Sequence, residues 1–436
     1  MEARVLGGWL GVERGDVAAP RQSASMISFD EAQRFVLQDL EPLTPHKLEL
    51  ARARGCVAAE EVTAREPSPP FENSSMDGFA LRAIDTLGGS RRLRVTSTIF
   101  AGDNPFTPLG EGEAARIMTG APVPAGADSV CLREATVLDP DGTTVVIERE
   151  VSLGEAIRRV GDDVAVGQVL VSPGDELGPA LLGVLASQGY SSVTAHARPV
   201  VGVMSTGNEL SDDPGPLSHG MIRDANRPSL LASLHASGFE GVDLGIVGDS
   251  PADITEALER GAASCDAIIS TGGVSVGDAD FVKSVLIELC GERARSMQVA
   301  MKPGKPFAFG VTKDAGVPIF GLAGNPVSTL VGFEAFVRPA LRRLGGHRVL
   351  DRITVEMVLD CGLPRKRDGR LHLAHAVARV HDDGIVHVES VARQASHLLH
   401  AVARANVLLF VPDGEGYDTG DVVRGTVLDA DQLGYH

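Results

Sequence analysis

Between residues 198 and 346 the chain alternates short aliphatic runs with segments of helical character, and this alternation constrains the fold more than any other feature. Residues 200–204 read as a buried strand. Residues 228–236 follow as a helix with proline in its first turn and Gly238 just beyond its end. The run 242–247 is the next strand, 251–263 the next helix with Ser250 as candidate cap, and 267–270 a third strand. Residues 317–322 then lead into a helix from Pro326 to about Leu344, closed by Gly345 and Gly346. Strands and helices in this order predict a doubly wound, mainly parallel α/β sheet. Ligands of such sheets bind at the carboxyl ends of the strands.

The flanking segments read differently. Phe29, Ala32, Phe35, Val36 and Leu40 recur at helical spacing behind Ser28, an N-cap candidate with Glu31 three places on. A second helical stretch is expected at 48–54. Three prolines within 66–71 mark a junction, after which alternating runs such as 93–99 and 143–147 predict a small β-rich domain. Residues 161–189 return to mixed structure with a helix near 179–188, so the β-rich part is an insertion. Beyond Arg348, the runs 353–359, 371–377, 386–391 and 407–411 predict a small C-terminal β barrel, or else a sandwich. The expected division is a disordered tail at 1–25, an elongated helical and mixed linker domain at 26–65 with 159–197, the inserted β-rich domain at 66–158, the central α/β domain at 198–346, and the C-terminal β domain at 347–436.

Composition narrows the function. Lys and Arg total 40 against 58 for Asp and Glu, giving a formal charge of −18 over 436 residues. That charge disfavours nonspecific binding to nucleic acid or anionic membranes. Aromatics are 4% of the chain, so the core must be mainly aliphatic. No run approaches the ~18 apolar residues of a membrane span. Five cysteines without a CxxC pair match neither a disulfide framework nor a zinc site, and a reducing cytoplasm is the simplest location.

Four glycine-bearing turns fall on one predicted edge of the central domain: Ser205-Thr206-Gly207, Thr271-Gly272-Gly273-Val274-Ser275-Val276-Gly277, Pro303-Gly304-Lys305 and Gly321-Leu322-Ala323-Gly324-Asn325. Glycine lets a backbone approach phosphate closely, and amides at a following helix start can coordinate it. One such turn alone reads equally well as a tight turn; four together imply a phosphorylated ligand. None matches a Walker A loop or GxGxxG. Glu209, Asp224, Asp249, Asp278 and Asp280 share the edge and would repel phosphate unless a hard cation such as Mg²⁺ intervenes. Read singly, Asp249 and Asp278 are turn or cap residues. Lys302 and Lys305 bracket Pro303-Gly304, so at least one can face the same phosphate.

These motifs closely resemble the MoeA family of molybdopterin molybdenumtransferases, to which the gephyrin E domain is related. The resemblance rests on Ser205-Thr206-Gly207-Asn208-Glu209-Leu210, Ser270 to Gly277, Met301-Lys302-Pro303-Gly304-Lys305-Pro306 and Gly324-Asn325-Pro326-Val327-Ser328. Outside the central domain it extends to Asn73-Ser74-Ser75-Met76-Asp77-Gly78-Phe79-Ala80, Arg116 to Ala121, Gly161-Asp162-Asp163 and Gln394-Ala395-Ser396-His397. It implies Mg²⁺-dependent insertion of molybdate into adenylated molybdopterin with release of AMP. It also implies an elongated homodimer with a composite site, and a molybdopterin adenylyltransferase as a further partner. Asp77, Asp163, Glu209, Asp249, Asp280 and Lys302 then match catalytic positions, with Glu209, Asp249 and Asp280 toward the metal. Thr119, Gly272, Gly273, Ser275, Gly277, Lys305, Gly324, Asn325 and Ser396 match substrate-binding positions.

Two departures stand out. Gln298 replaces a lysine that some members carry, and Asn208 replaces an aspartate common in that turn. The alternatives are a molybdopterin adenylyltransferase and a gephyrin-like non-catalytic scaffold. His372 and His375 are spaced for a helix but sit in a strand-like run that turns them to opposite faces. Cys131 and Cys265 lie in apolar runs and read as packing residues.

Overall fold

The computed structural model describes residues 26–104, 107–274, 281–391 and 395–434. They divide into two compact units, one from 26–40, the described part of 199–343 and that of 349–434, the other from the described part of 41–198 with 344–348. The expected tail at 1–25 lies outside the described residues.

The central sheet of the first unit has six strands, in the order Glu240–Val247, Val200–Thr206, Ala267–Thr271, Pro318–Leu322, Pro306–Val311 and Arg295–Gln298. The first four are parallel, and the last two run antiparallel to their neighbours. The expected doubly wound α/β architecture is therefore present, with an antiparallel edge added. Helix Pro251–Ala262 shows why the local sequence folds as it does. Proline opens it, and Ser250 Oγ accepts a hydrogen bond from the Asp253 N–H at 3.1 Å. Ile254, Ala257, Leu258 and Gly261 recur at three and four residues and form its buried face. Burying Ile254 and Leu258 contributes about 1.5–3 kcal/mol each.

Helix Phe29–Leu37 starts as its capping pattern predicts, with Ser28 Oγ accepting from the Glu31 N–H at 3.1 Å. It belongs to the first unit, whereas the sequence grouped it with 159–197. Phe29 meets Phe336 with ring centroids 5.6 Å apart, and Gln33 donates to the Ala335 carbonyl. That contact partner is a π-helical turn, Phe333–Val337, inside the segment expected as one helix from Pro326 to Leu344.

The C-terminal strands close into a five-stranded barrel: Leu371–Val380, Val386–Ser390, Thr354–Leu359, Val422–Val427, Val407–Val411, and back to Leu371–Val380. Strand Val422–Val427, not expected from the sequence, completes the ring. A two-residue strand, Met301–Lys302, pairs with the start of Leu371–Val380 and ties the barrel to the central domain.

The second unit contains a six-stranded mixed sheet in the order Ser129–Leu132, Gly78–Leu81, Glu113–Ile117, Arg91–Ile99, Thr144–Ile147 and Thr136–Leu138. Its two faces bury clusters around Phe79, Leu81 and Val145 and around Ala80, Ile99 and Ile117. Residues 48–54 depart from expectation. His46–Glu49 is a strand paired with Ser192–His196, followed by a single 3-10 turn, Leu50–Arg52. Cross-strand pairing overrides a weak local helical preference there.

Candidate active site

The four glycine turns do share one edge of the central sheet. Three follow the carboxyl ends of strands Val200–Thr206, Ala267–Thr271 and Pro318–Leu322. The fourth, Pro303-Gly304-Lys305, precedes strand Pro306–Val311. That strand is antiparallel, with Ala308 opposite Gly321 and Val311 opposite Pro318, so its start lies at the same edge as its neighbours' ends.

Glycine is required by geometry at Gly272. Its φ is +92°, and an added Cβ would stand 2.5 Å from the Thr206 carbonyl oxygen. Gly324 is different: an added Cβ would make an ordinary contact, 3.6 Å from the Gly272 Cα. The two turns are thus packed backbone to backbone. Gly273 has φ +62°, and an added Cβ would reach 2.6 Å from Val282. Ser275, Gly277, Asp278 and Asp280 lie outside the described residues.

A buried polar network sets these turns. Asn226 Nδ2 donates to the Gly324 carbonyl at 2.8 Å and to Thr271 Oγ1 at 3.3 Å, bridging two of them. Asp224 accepts from Ser205 Oγ at 3.0 Å and from Arg227 Nε at 3.0 Å. Arg227 also donates to Asp212 at 2.7 Å and to Asp243 at 2.5 Å. Burial works against the Arg227 charge, but the hydrogen bonds it donates to Asp243, Asp224 and Asp212 outweigh it and raise its pKa. Asp224, expected among the acids facing a ligand, is spent inside the protein, its side chain only 1% exposed. Asn226 and Arg227 carried no sequence signal beyond the start of a helix.

Glu209 and Asp249 are exposed on loops that leave adjacent parallel strands. The Glu209 carboxylate folds back over Gly207, whose added Cβ would meet Oε2 at 2.6 Å. The Asp249 carboxylate accepts from the Asn208 N–H at 3.0 Å. Among the described residues neither joins a cluster of three possible metal ligands.

Beside this edge, a pocket of about 710 Å³ opens between the central domain and the barrel. Lys302, Lys305, Asn325 and Ser396 all line it, which brings four of the expected residues together. The Val327 N–H donates to the Ser396 carbonyl at 3.1 Å, joining the Ser396 loop to the start of helix Pro326–Gly332. The opposite wall supplies cations that sequence reasoning missed: Arg365, Lys366 and Arg370. Asp368 organises the two arginines. One of its oxygens accepts from Arg370 Nη2 at 2.5 Å and His372 Nε2 at 3.0 Å; the other accepts from Arg365 Nη2 at 2.8 Å. Burial would raise the Asp368 carboxyl, yet the hydrogen bonds from His372 and Arg370 hold it well below the usual carboxylate range. Burial also lowers the pKa of His372, and the charges of Arg365 and Lys302 add to that. His375, on the opposite strand face, is buried and pushed down to about 4 by desolvation. The histidine pair therefore separates as alternation predicts.

Asp77, Thr119 and Asp163 lie in the second unit. Asp77 Oδ1 accepts from both the Thr119 N–H and Thr119 Oγ1, each at 2.8 Å, and these bonds lower its pKa. Asp163 is exposed, its N–H donating to the Ser68 carbonyl at 2.9 Å. Cys131 and Cys265 are buried with raised thiol pKa values through desolvation, as packing residues should be. No helix among the described residues is long and apolar enough to cross a membrane.

The chain is similar to known proteins along most of its length. Residues 27–189 match the MoeA N-terminal region (domain I and II), 202–343 a probable molybdopterin binding domain, and 359–428 the MoeA C-terminal region (domain IV). The chain is 37% identical over 393 residues to a molybdopterin molybdenumtransferase of Haemophilus influenzae, covering 90% of this chain and 96% of the relative. It is 38% identical over 411 residues to molybdopterin molybdenumtransferase 2 of Mycobacterium tuberculosis, covering 92% and 98%. The crystal structure of a molybdopterin biosynthesis MoeA protein from Pyrococcus horikoshii OT3 superposes with a TM-score of 0.75 at 26% identity, over 92% of this chain and 100% of that one. With all three regions matched in order, the chain belongs to the MoeA family of molybdopterin molybdenumtransferases, transferases of molybdenum cofactor biosynthesis.

Proposed function

We propose that the chain inserts molybdenum, taken as molybdate, into adenylated molybdopterin with release of AMP in a Mg²⁺-dependent reaction. The observation that carries this reading is the meeting of a glycine-lined sheet edge with a cationic pocket in one unit. Backbone amides at Gly273 and Gly324 would cradle the phosphates, with Gly272, whose N–H donates to the Leu322 carbonyl, shaping the turn. Lys302, Lys305 and Arg370 would hold the oxyanion, with Ser396 donating a hydrogen bond. Lys302 would further stabilise charge developing as the anhydride breaks.

The exposed carboxylates of Glu209 and Asp249 are oxygen donors of the kind Mg²⁺ prefers, and Asp280 would complete the set. Bound there, Mg²⁺ would neutralise phosphate charge during anhydride cleavage. The working form would be a homodimer in the cytoplasm, with Asp77, Thr119 and Asp163 of one subunit completing the other's site, and a molybdopterin adenylyltransferase would hand over the substrate. Incubation with adenylated molybdopterin, molybdate and Mg²⁺ tests the reading. AMP release that requires both molybdate and Mg²⁺ is expected; binding of the nucleotide without AMP release would overturn it.

A further inference from the structure

We propose that Asp360, His381 and His387 form a binding site for a divalent transition-metal ion such as Zn²⁺ on the C-terminal barrel, separate from the cationic pocket. Backbone hydrogen bonds fix all three. Val380 pairs with Val386 at the end of a hairpin, and the His381 N–H donates to the Ile385 carbonyl at 3.0 Å. The Asp360 N–H donates to the Val388 carbonyl at 3.0 Å, which brings the end of the neighbouring strand alongside.

One ligand atom from each residue lies within 4.8 Å of the other two. His387 Nδ1 and Asp360 Oδ1 are 2.7 Å apart, and the His381 and His387 rings stack with centroids 4.0 Å apart. Tetrahedral Zn²⁺ spaces its ligands by about 3.3 Å. The close pair must open by roughly half an ångström and the histidine rings must tilt for all three to reach one ion. The metal would replace the proton shared by His387 Nδ1 and Asp360.

The surroundings fit a metal. Asp383 Oδ2 lies 3.4 Å from His387 Nε2, where a carboxylate orients a coordinating imidazole. A pocket of about 650 Å³ beside the cluster leaves room for water as a fourth ligand, with Glu389 and His400 on its wall. Arg379 and Arg404 line it too, but the carboxylates of Asp360, Asp383 and Glu389 outnumber them. Two imidazoles and one carboxylate favour Zn²⁺, Co²⁺ or Ni²⁺ over Mg²⁺. A bound ion would clamp the hairpin to the strand beside it.

The test uses the tag-free full chain stripped with a chelator. Calorimetry with Zn²⁺ should show one ion per chain, and Co²⁺ should give the visible bands of a tetrahedral site. Affinity should fall by about tenfold or more in both His381→Ala and His387→Ala, survive Cys361→Ser, and be unaffected by excess Mg²⁺. The proposal is overturned by absence of stoichiometric binding, by unchanged binding in both histidine variants, or by a Co²⁺–thiolate band that disappears in Cys361→Ser. Should His387→Ala fail to fold, His381→Gln at the hairpin turn decides alone. None of these readouts depends on transfer of molybdenum.

Discussion

Asn208 and Asp249 clasp each other across two loops. The Asn208 N–H donates to Asp249 Oδ2 at 3.0 Å, and the Asp249 N–H donates to Asn208 Oδ1 at 3.2 Å. The departure from the family's usual aspartate is therefore accommodated, because the amide oxygen accepts the same backbone hydrogen bond that a carboxylate would. The clasp uses Asp249 Oδ2, and Oδ1 is the oxygen that the proposed Mg²⁺ would take.

Removing the clasp should be visible as metal dependence. Asn208→Ala leaves the Asp249 N–H without its partner, costing about 1 kcal/mol of stability and raising the Mg²⁺ concentration for half-maximal AMP release. Asn208→Asp restores the acceptor but sets a second carboxylate beside Asp249. Mg²⁺ should then raise the thermal midpoint of Asn208→Asp more than that of the native chain. Equal Mg²⁺ responses in all three proteins would remove Asp249 from the metal site.

The glycine turns separate folding from function. Gly272→Ala demands a positive φ and a carbonyl clash, so urea unfolding should show a loss of about 2 kcal/mol or more. Gly324→Ala meets only an ordinary contact and should leave stability within about 0.5 kcal/mol. Its methyl group would nonetheless stand where phosphate is expected. Activity should fall by about tenfold with KM for the nucleotide taking most of the change. Full activity in Gly324→Ala would place the phosphates elsewhere.

Patterns that act along the chain could be read from the sequence. Ser28 with Glu31, Pro251 behind Ser250, and the aliphatic strands of the parallel sheet each carry a local physical signal, and each appears where expected. What could not be read depends on distant partners. Strand His46–Glu49 exists because Ser192–His196 pairs with it, and helix Phe29–Leu37 finds its place against Phe336, about 300 residues on. The Asp368 hub is of the same kind. Arg365 reaches both Asp368 and Asp413, 45 residues apart in sequence, and no spacing announces that convergence.

Asp368 should act through the cations it holds. Asp368→Asn keeps the shape but removes the charge that aligns Arg370, Arg365 and His372. The dissociation constant for tungstate, a molybdate analogue, should rise about tenfold, a change of about 1.4 kcal/mol. Asp368→Glu should recover part of it. Tighter binding in Asp368→Asn would mean instead that the carboxylate competes with the oxyanion for the arginines.

Desolvation of His375 should make the barrel sensitive to acid. Its folded-state pKa, about 4, lies below the ordinary histidine value of 6.5, so the unfolded chain takes up the proton first. Its contribution is fully present above pH 6.5, declines as the pH falls toward about 4, and is gone below that. The loss over that window is of order 3 kcal/mol. Chemical unfolding of His375→Leu across the window should show a shallower pH dependence than the native chain. Identical slopes would assign the acid sensitivity to other groups.

Asp77 and Asp249 belong to different units, and the proposed dimer requires one of them from each subunit at every site. Asp77→Ala removes the carboxylate that Thr119 holds with two hydrogen bonds, and Asp249→Ala removes a carboxylate from the sheet edge. Each variant alone should be inactive. Dissociated, mixed in equal amounts and reassociated, half of the dimers should be mixed, and each mixed dimer should have one intact site and one lacking both aspartates. Recovery should therefore approach about one quarter of native activity per subunit. If each site were built within a single chain, every site in the mixture would lack one aspartate and no activity would return.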